Sequence, residues 1–446
     1  LETKLQNLLR GQEAASSPPI IGIPRQGVGA RAATGIDGTG RDFKQAPNID
    51  IPSEIMSGLK WWENKTVPSA VHNYLFKIFV AHCQRVHFYF NQAAFESRMA
   101  SSDPATQPHP CYLNAIYLMA CYFTSLDLSP FPYLGDHEEL FLGRAQGSLT
   151  ESLAMSDRLM DFVRGSSLVT VYFLMRGRYL EGYHVHCGTA RFALSCGLHR
   201  INSNELQDTE DHSTSNIGYL LSPPETEVEL GDRLNAFWQI YWSDKLLSTL
   251  MGFVAALPGQ AEAPDGISSV FPREIEYYEG THHTPQNDTI LELLLPQPTA
   301  TIPANQHRDS PFAMVLKALT LLEQASRLGH LHRSKPSEGT IAALKELHVA
   351  TDRFAATIPA VTAPEEIVEE GSASGCDSVA VLMARTITLG ALLEMNNTTS
   401  ATDAQAYNAR LTSAGYIASL VFYFGPGNYG NADLATGVRT HGIAGA

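Results

Sequence analysis

Residues 230–250 read Leu-Gly-Asp-Arg-Leu-Asn-Ala-Phe-Trp-Gln-Ile-Tyr-Trp-Ser-Asp-Lys-Leu-Leu-Ser-Thr-Leu, without a proline. Leu230, Leu234, Phe237, Trp238 and Tyr241 recur at steps of three and four. That is the period of an α-helix, over a length strands do not reach. Phe237, Trp238, Tyr241 and Trp242 form a wide aromatic stripe, read as a core helix packed on its neighbours rather than a cofactor box. The same texture extends in both directions. Upstream it runs through Val71, Leu75, Ile78, Phe79, His82, Val86 and Phe90, and through Leu113 to Phe123 after Pro108-His109-Pro110. It continues at Leu149–Leu159 and Leu168–Met175. In the long run Arg178–Leu198 we assign Leu180, Tyr183, His184, Cys187, Arg191 and Leu194 to one face. Downstream, 258–311 is punctuated by prolines, after which helical patterning resumes at 312–330, 340–357, 377–396 and 404–424. No sustained apolar/polar alternation and no Asn-Gly hairpin signal occurs. The expected fold class is all-α, with about ten or more helices in one large domain over 66–425 and no significant sheet.

Composition narrows the function classes. The 446 residues carry 31 Lys+Arg against 46 Asp+Glu, a formal charge of −15, with 44% hydrophobic and 17% charged residues. A disordered chain needs the opposite balance. So acidic a polypeptide is poorly suited to grip a phosphate backbone by itself. Six cysteines, at 83, 111, 121, 187, 196 and 376, form no C-x-x-C pair and no zinc-ligand spacing, which points to buried thiols in a reducing compartment. The longest apolar stretch, Leu246–Leu257, is well short of a bilayer span, and no signal peptide opens the chain, so no membrane partner is expected.

The ends have a different texture. Leu1, Leu5 and Leu8 take the 4-then-3 spacing of a coiled-coil seam, so residues 1–10 are read as the end of a dimerisation coil. Residues 11–65, rich in Gly, Pro, Ser and Ala in their first part, are read as a flexible linker, and 426–446 as a loose tail. The sequence opens on Leu1 rather than Met, from which we expect a piece of a longer chain with any DNA-contacting part upstream.

There is no Gly-rich loop ending in Gly-Lys-Ser/Thr, no G-x-G-x-x-G, no G-x-S-x-G, no H-E-x-x-H and no D-D-x-x-D run. Two E-x-x-H pairs do occur, Glu181/His184 and Glu279/His282, the spacing by which helical bundles hold carboxylate-bridged metals. The second sits in a Pro/Gly-punctuated stretch, and two chance matches are expected among sixteen His, so no metal site is assigned. His184, His186 and Cys187 are likewise read as packed helix residues rather than ligands.

Three segments in order carry a family resemblance. The first is Phe88-Tyr-Phe-Asn91 followed by His109-Pro-Cys-Tyr-Leu-Asn-Ala115. The second runs from Arg176-Gly-Arg-Tyr-Leu-Glu-Gly-Tyr183 to Cys196-Gly-Leu-His-Arg200. The third places Arg233, Phe237, Trp238, Tyr241, Asp244, Gly252 and Pro258 in an R-x-x-x-F-W-x-x-Y-x-x-D…G…P run. Together they resemble the middle homology region, the regulatory domain of fungal binuclear zinc-cluster transcription factors, over about residues 70 to 275. One departure is Phe-Val-Ala-Ala-Leu between Gly252 and Pro258, longer than the usual step. The resemblance implies a nuclear regulatory domain without catalysis, sensing an effector or contacting co-regulators. It also implies no cofactor in this stretch, zinc only in an upstream cluster through which DNA is bound, and a homodimer joined by the coil that ends in Leu1, Leu5 and Leu8. A metal-dependent all-α enzyme and a helical interaction scaffold are the alternatives.

Physical expectations stand beside the resemblance. Gly177, Gly182 and Gly188 weaken a helix by about 1 kcal/mol each, so close helix–helix approach should compensate. Gly197 suits a left-handed helix stop, with His199 and Arg200 at the negative end of the dipole. Asp244 is either a surface residue or a buried carboxylate paired with Arg200 or Arg191. An effector pocket is expected between 178–198 and 230–252, lined by His184, Arg191, Trp238, Trp242 and Lys245.

Overall fold

The first helix whose start is dictated by a capping side chain opens at Asn91, whose Oδ1 accepts the Ala94 N–H at 2.8 Å. Thr226, Thr289, Ser310 and Ser337 open later helices in the same way. His109 caps through its ring, Nδ1 accepting from Cys111 N at 3.1 Å, with Pro110 in the first helical turn. A computed structural model describes residues 51–56, 60–64, 66–126, 133–206, 218–257, 266–280, 288–296, 309–359, 374–399 and 404–424. Leu1, Leu5, Leu8, Pro258, the tail 426–446 and most of the linker 11–65 lie outside the described residues.

The described residues form α-helices and short 3₁₀ turns, with no strand among them. The fold is all-α. The helices are α1 (Ser53–Met56), α2 (Ser69–His82), α3 (Gln92–Ala100), α4 (Pro110–Thr124), α5 (Glu138–Met155), α6 (Leu159–Met175) and α7 (Tyr179–Ser195). They continue as α8 (Glu227–Met251), α9 (Ile290–Leu294), α10 (Pro311–Ser334), α11 (Glu338–Thr357), α12 (Ser374–Thr399) and α13 (Ala404–Phe424). In the N-terminal part α4 packs against α2, α5 and α6, and α7 covers α6. Helix α8 bridges from α6 and α7 to α10, around which α11 and α12 gather, with α13 on α12. One apolar core runs through both parts, from Trp61 to Met395.

Three local readings are corrected. The helical pattern of 71–90 stops at His82, because the chain turns through a left-handed residue at His87 (φ 51°) before Phe88 and Phe90 enter the core. The last residues assigned to the linker are packed: Trp61 is buried against Phe141, and Arg144 donates to the carbonyls of Trp62 and Asn64. Within α12 the stretch Val379–Asn397 is long and apolar enough to cross a membrane, yet Ala380, Ala384, Ala391 and Met395 lie in the core.

Candidate functional site

Helix α8 carries the most specific sequence run, and it is enclosed by other elements along most of its length. Leu230, Leu234, Phe237, Trp238, Ile240, Tyr241, Trp242 and Leu247 are buried, and so are the polar Arg233, Asn235, Gln239, Ser243, Asp244 and Lys245. The polar tips of Trp238 and Tyr241 find partners, as burial requires. Trp238 Nε1 donates to Val270 O at 2.7 Å while its ring stacks on Phe271 at 4.5 Å. Tyr241 Oη lies 3.0 Å from Thr320 Oγ1 on α10. Arg233 donates to Glu229 Oε1 and to Ser222 O, both at 2.5 Å. Gly197 (φ 78°) takes the left-handed stop that the sequence suggests, Gly252 (φ 67°) ends α8 in the same conformation, and His199 and Arg200 follow Gly197 in a 3₁₀ turn. His199 is buried, and its carbonyl accepts from Ser268 and Ser269.

Asp244 is the centre of this site. It is 1% exposed and receives four groups. His186 Nε2 lies 3.0 Å from Oδ1, Ala256 N–H donates to Oδ1 at 2.7 Å, Leu257 N–H donates to Oδ2 at 3.2 Å, and Lys245 Nζ is 3.3 Å from Oδ2. Burial alone would push its pKa up. The hydrogen bond from His186, the Lys245 ammonium and the Ala256 N–H outweigh burial and hold the carboxyl below its ordinary range. An ionised carboxylate only accepts, so His186 carries its proton on Nε2. Lys245 is itself fully buried, donates to Leu257 O at 3.3 Å and lies over the Tyr241 ring at 5.0 Å. From the other side Tyr183 Oη donates to Val254 O at 2.9 Å and stacks on Phe253 at 4.6 Å. The Phe-Val-Ala-Ala-Leu insertion is thus a strap, bound to α7 through Tyr183 and to α8 through Asp244 and Lys245.

Several expectations about these helices are corrected. Arg191 and Arg200 are exposed, so neither is the partner of Asp244; the charge is met by His186 and Lys245. The buried stripe of α7 is Gly182, His186, Thr189, Ala190, Ala193 and Leu194, whereas Leu180, His184 and Arg191 face solvent. The five residues of the expected pocket therefore share no lining: His184 and Arg191 are outside, and Trp238, Trp242 and Lys245 are enclosed by packed neighbours. A concavity of about 510 Å³ lies instead at the α5–α6 junction, between His109, Glu151, Met155 and Arg158. Of the helical glycines, Gly182 has the expected close approach: a Cβ there would lie 3.2 Å from Phe173 Cβ. Gly188 faces open space, and Gly177 (φ 73°) belongs to the turn after α6 rather than to a helix. Glu181 is engaged by Arg178 at 2.6 Å and Glu279 by Asn91 at 2.7 Å, while His282 lies outside the described residues.

Four ion clusters, each with at least one buried member, escaped the sequence. Arg98 grips Asp161 with both nitrogens, at 2.9 and 2.6 Å, and Asp161 also accepts from His109 N. Arg164 binds Asp232, Arg176 binds Glu138, and Lys317 binds Asp288 and Asp309. The only signal available was an acid and a base, Asp161 and Arg164, inside an apolar helical run. Their partners are distant in sequence.

Geometry of this kind holds helices and a strap in place. Residues 75–258 match the family model of the fungal specific transcription factor domain, a stretch that begins in α2 and closes just after the strap. Over those residues the chain is similar to that domain, which is a regulatory part of fungal transcription factors. No curated protein and no solved structure matches the chain.

Proposed function

We propose that this chain is the effector-sensing regulatory region of a nuclear factor that controls RNA polymerase II transcription. In this reading activity is gated by a ligand, a partner protein or intramolecular contacts. DNA is bound by a zinc cluster upstream of Leu1, in a homodimer to which Leu1, Leu5 and Leu8 contribute. The observation that carries the proposal is the family match over 75–258, a stretch that includes the α7–α8 region tied together by Asp244. The charge of −15 supports the assignment of DNA contacts to another segment.

The test is a fusion of the chain to a heterologous DNA-binding domain, expressed in a fungal cell with two reporters, one silent and one active. A change in either reporter relative to the DNA-binding domain alone is expected. Asp244→Ala, which loosens the strap, should alter that output. No change in either reporter, from a fusion protein shown to be present and folded, would overturn the regulatory reading.

A further inference from the structure

Helices α6 and α8 run parallel where they touch. Arg164 Nη2 donates to Asp232 O at 2.9 Å, and further along both helices Ser167 Oγ donates to Gln239 Oε1 at 2.9 Å. One turn beyond this last pair stand Thr170 on α6 and Ser243 on α8, at i+3 and i+4 and hence on the same two faces. Helix α7 runs antiparallel across them. Ser166 Oγ meets Thr189 Oγ1 at 2.5 Å, and a Cβ at Gly182 would lie 3.5 Å from Thr170 O, so α7 passes the level of Thr170 near His186. The register brings Thr170, Gln239 and Ser243 to one three-helix junction, beside the Asp244–His186 pair.

All three side chains are about 1% exposed, and Thr170 Oγ1, Gln239 Nε2 and Ser243 Oγ each lack a hydrogen-bond partner. Helical Thr and Ser commonly bond back to the carbonyl four residues earlier, as Thr320 and Thr351 do, so the two free hydroxyls depart from local habit. Three such groups in one buried seam carry a heavy desolvation cost unless something meets them. Together they offer two amide N–H donors and two hydroxyls that donate or accept. The nearest charge, Asp244, is already met by Lys245, His186 and two backbone N–H groups, so an ion gains nothing there. A neutral molecule that both donates and accepts is what these groups fit, and the burial of all three restricts that molecule to the smallest size.

We propose that the α6–α8 seam is an internal water-binding site, in which ordered water bridges Thr170, Gln239 and Ser243 and joins the two helices to α7. The test uses the whole chain and the isosteric variant Thr170→Val, alone and combined with Ser243→Ala. If water bridges the seam, Thr170→Val removes one anchor and leaves Gln239 and Ser243 underserved, so Tm falls by a few degrees and the double variant is non-additive. If the seam is dry, Val removes an unpaired buried hydroxyl and Tm rises, which overturns the proposal. A second readout is independent of stability: the side-chain amide protons of Gln239, labelled with ¹⁵N, should show cross-relaxation to long-lived water, lost in Thr170→Val. No water signal in the native chain also overturns it. So does an added mass on the folded chain in native mass spectrometry that disappears in the double variant, since the occupant would then be a retained metabolite.

Discussion

Helices α7 and α8 lie side by side and obey different rules. Helix α8 is buried on several sides and is recognisable from its large residues: Phe237, Trp238, Tyr241 and Trp242 all lie in the core. Helix α7 buries one stripe, and apart from Leu194 at its end that stripe is made of small or polar residues, Gly182, His186, Thr189, Ala190 and Ala193. Its large apolar residues near the start, Tyr179 (41% exposed) and Leu180 (54%), point outward. The difference teaches that a helix laid over an already aromatic core is selected for closeness of approach. In such a helix the small residues, rather than the leucines, mark the inner face.

The largest expected effect breaks α8 from within. Asp244→Ala leaves the Lys245 ammonium buried without its counter-charge, and the N–H groups of Ala256 and Leu257 without an acceptor. Losing one partner of a buried pair typically costs about 3–5 kcal/mol. Urea denaturation should show a loss of that order, and amide exchange at Ala256 and Leu257 should accelerate before global unfolding. A loss below about 1 kcal/mol would mean that the strap is held by Tyr183 and Phe253 instead.

A smaller effect follows from pH. His87 is buried between Trp242 of α8 and Phe312, with its ring 5.0 and 5.5 Å from theirs, and burial pushes its pKa down from 6.5 to about 4. The folded state keeps it neutral while the unfolded chain takes up a proton, so stability falls as pH drops from about 6.5 towards 4. The full gap is worth ~3 kcal/mol. Asp244 adds a separate loss at lower pH: its folded pKa is depressed, so its contribution is complete above the ordinary carboxylate value and disappears as pH falls through the folded one. Denaturant midpoints between pH 7 and 4.5 should decline for the native chain, and decline less for His87→Asn, which tolerates the left-handed backbone and does not titrate. Equal slopes would assign the decline to other groups.

Much of this was legible before the structure, for stated physical reasons. The helices from 312 onward fall within a few residues of their expected limits, because runs such as Phe312–Leu321 are strongly apolar and the caps Ser310 and Ser337 announce their starts. The aromatic run of α8 pointed to the fold class and was the most specific of the three segments that carry the family resemblance. The face of α7 was not legible, because hydrophobic periodicity weighs Leu180 above Gly182, and a glycine shows its role only against Phe173. The partner of Asp244 was not legible either. An arginine was the natural guess for a buried carboxylate, yet the adjacent Lys245 folds back over Tyr241, and His186 arrives from 58 residues away in sequence.

The comparison is sharpened last by substitutions confined to α7. Gly182→Val would place its Cβ 3.1 Å from Leu174 Cδ2 and 3.2 Å from Phe173 Cβ, and of these only the leucine tip has room to yield. Overpacking of this kind typically costs about 1–3 kcal/mol. Six residues on, Gly188 faces open space, and Gly188→Ala should stabilise the chain by about 0.5–1 kcal/mol through helix propensity alone. His184→Ala, on the exposed side, should leave stability within about 0.5 kcal/mol of the native value. The three variants share one helix, so its intrinsic propensity cannot explain opposite signs at Gly182 and Gly188; only the packed face does. If both glycine substitutions stabilised, α7 would be shown to ride loosely on α6, and the small residues of its inner stripe would have no packing role.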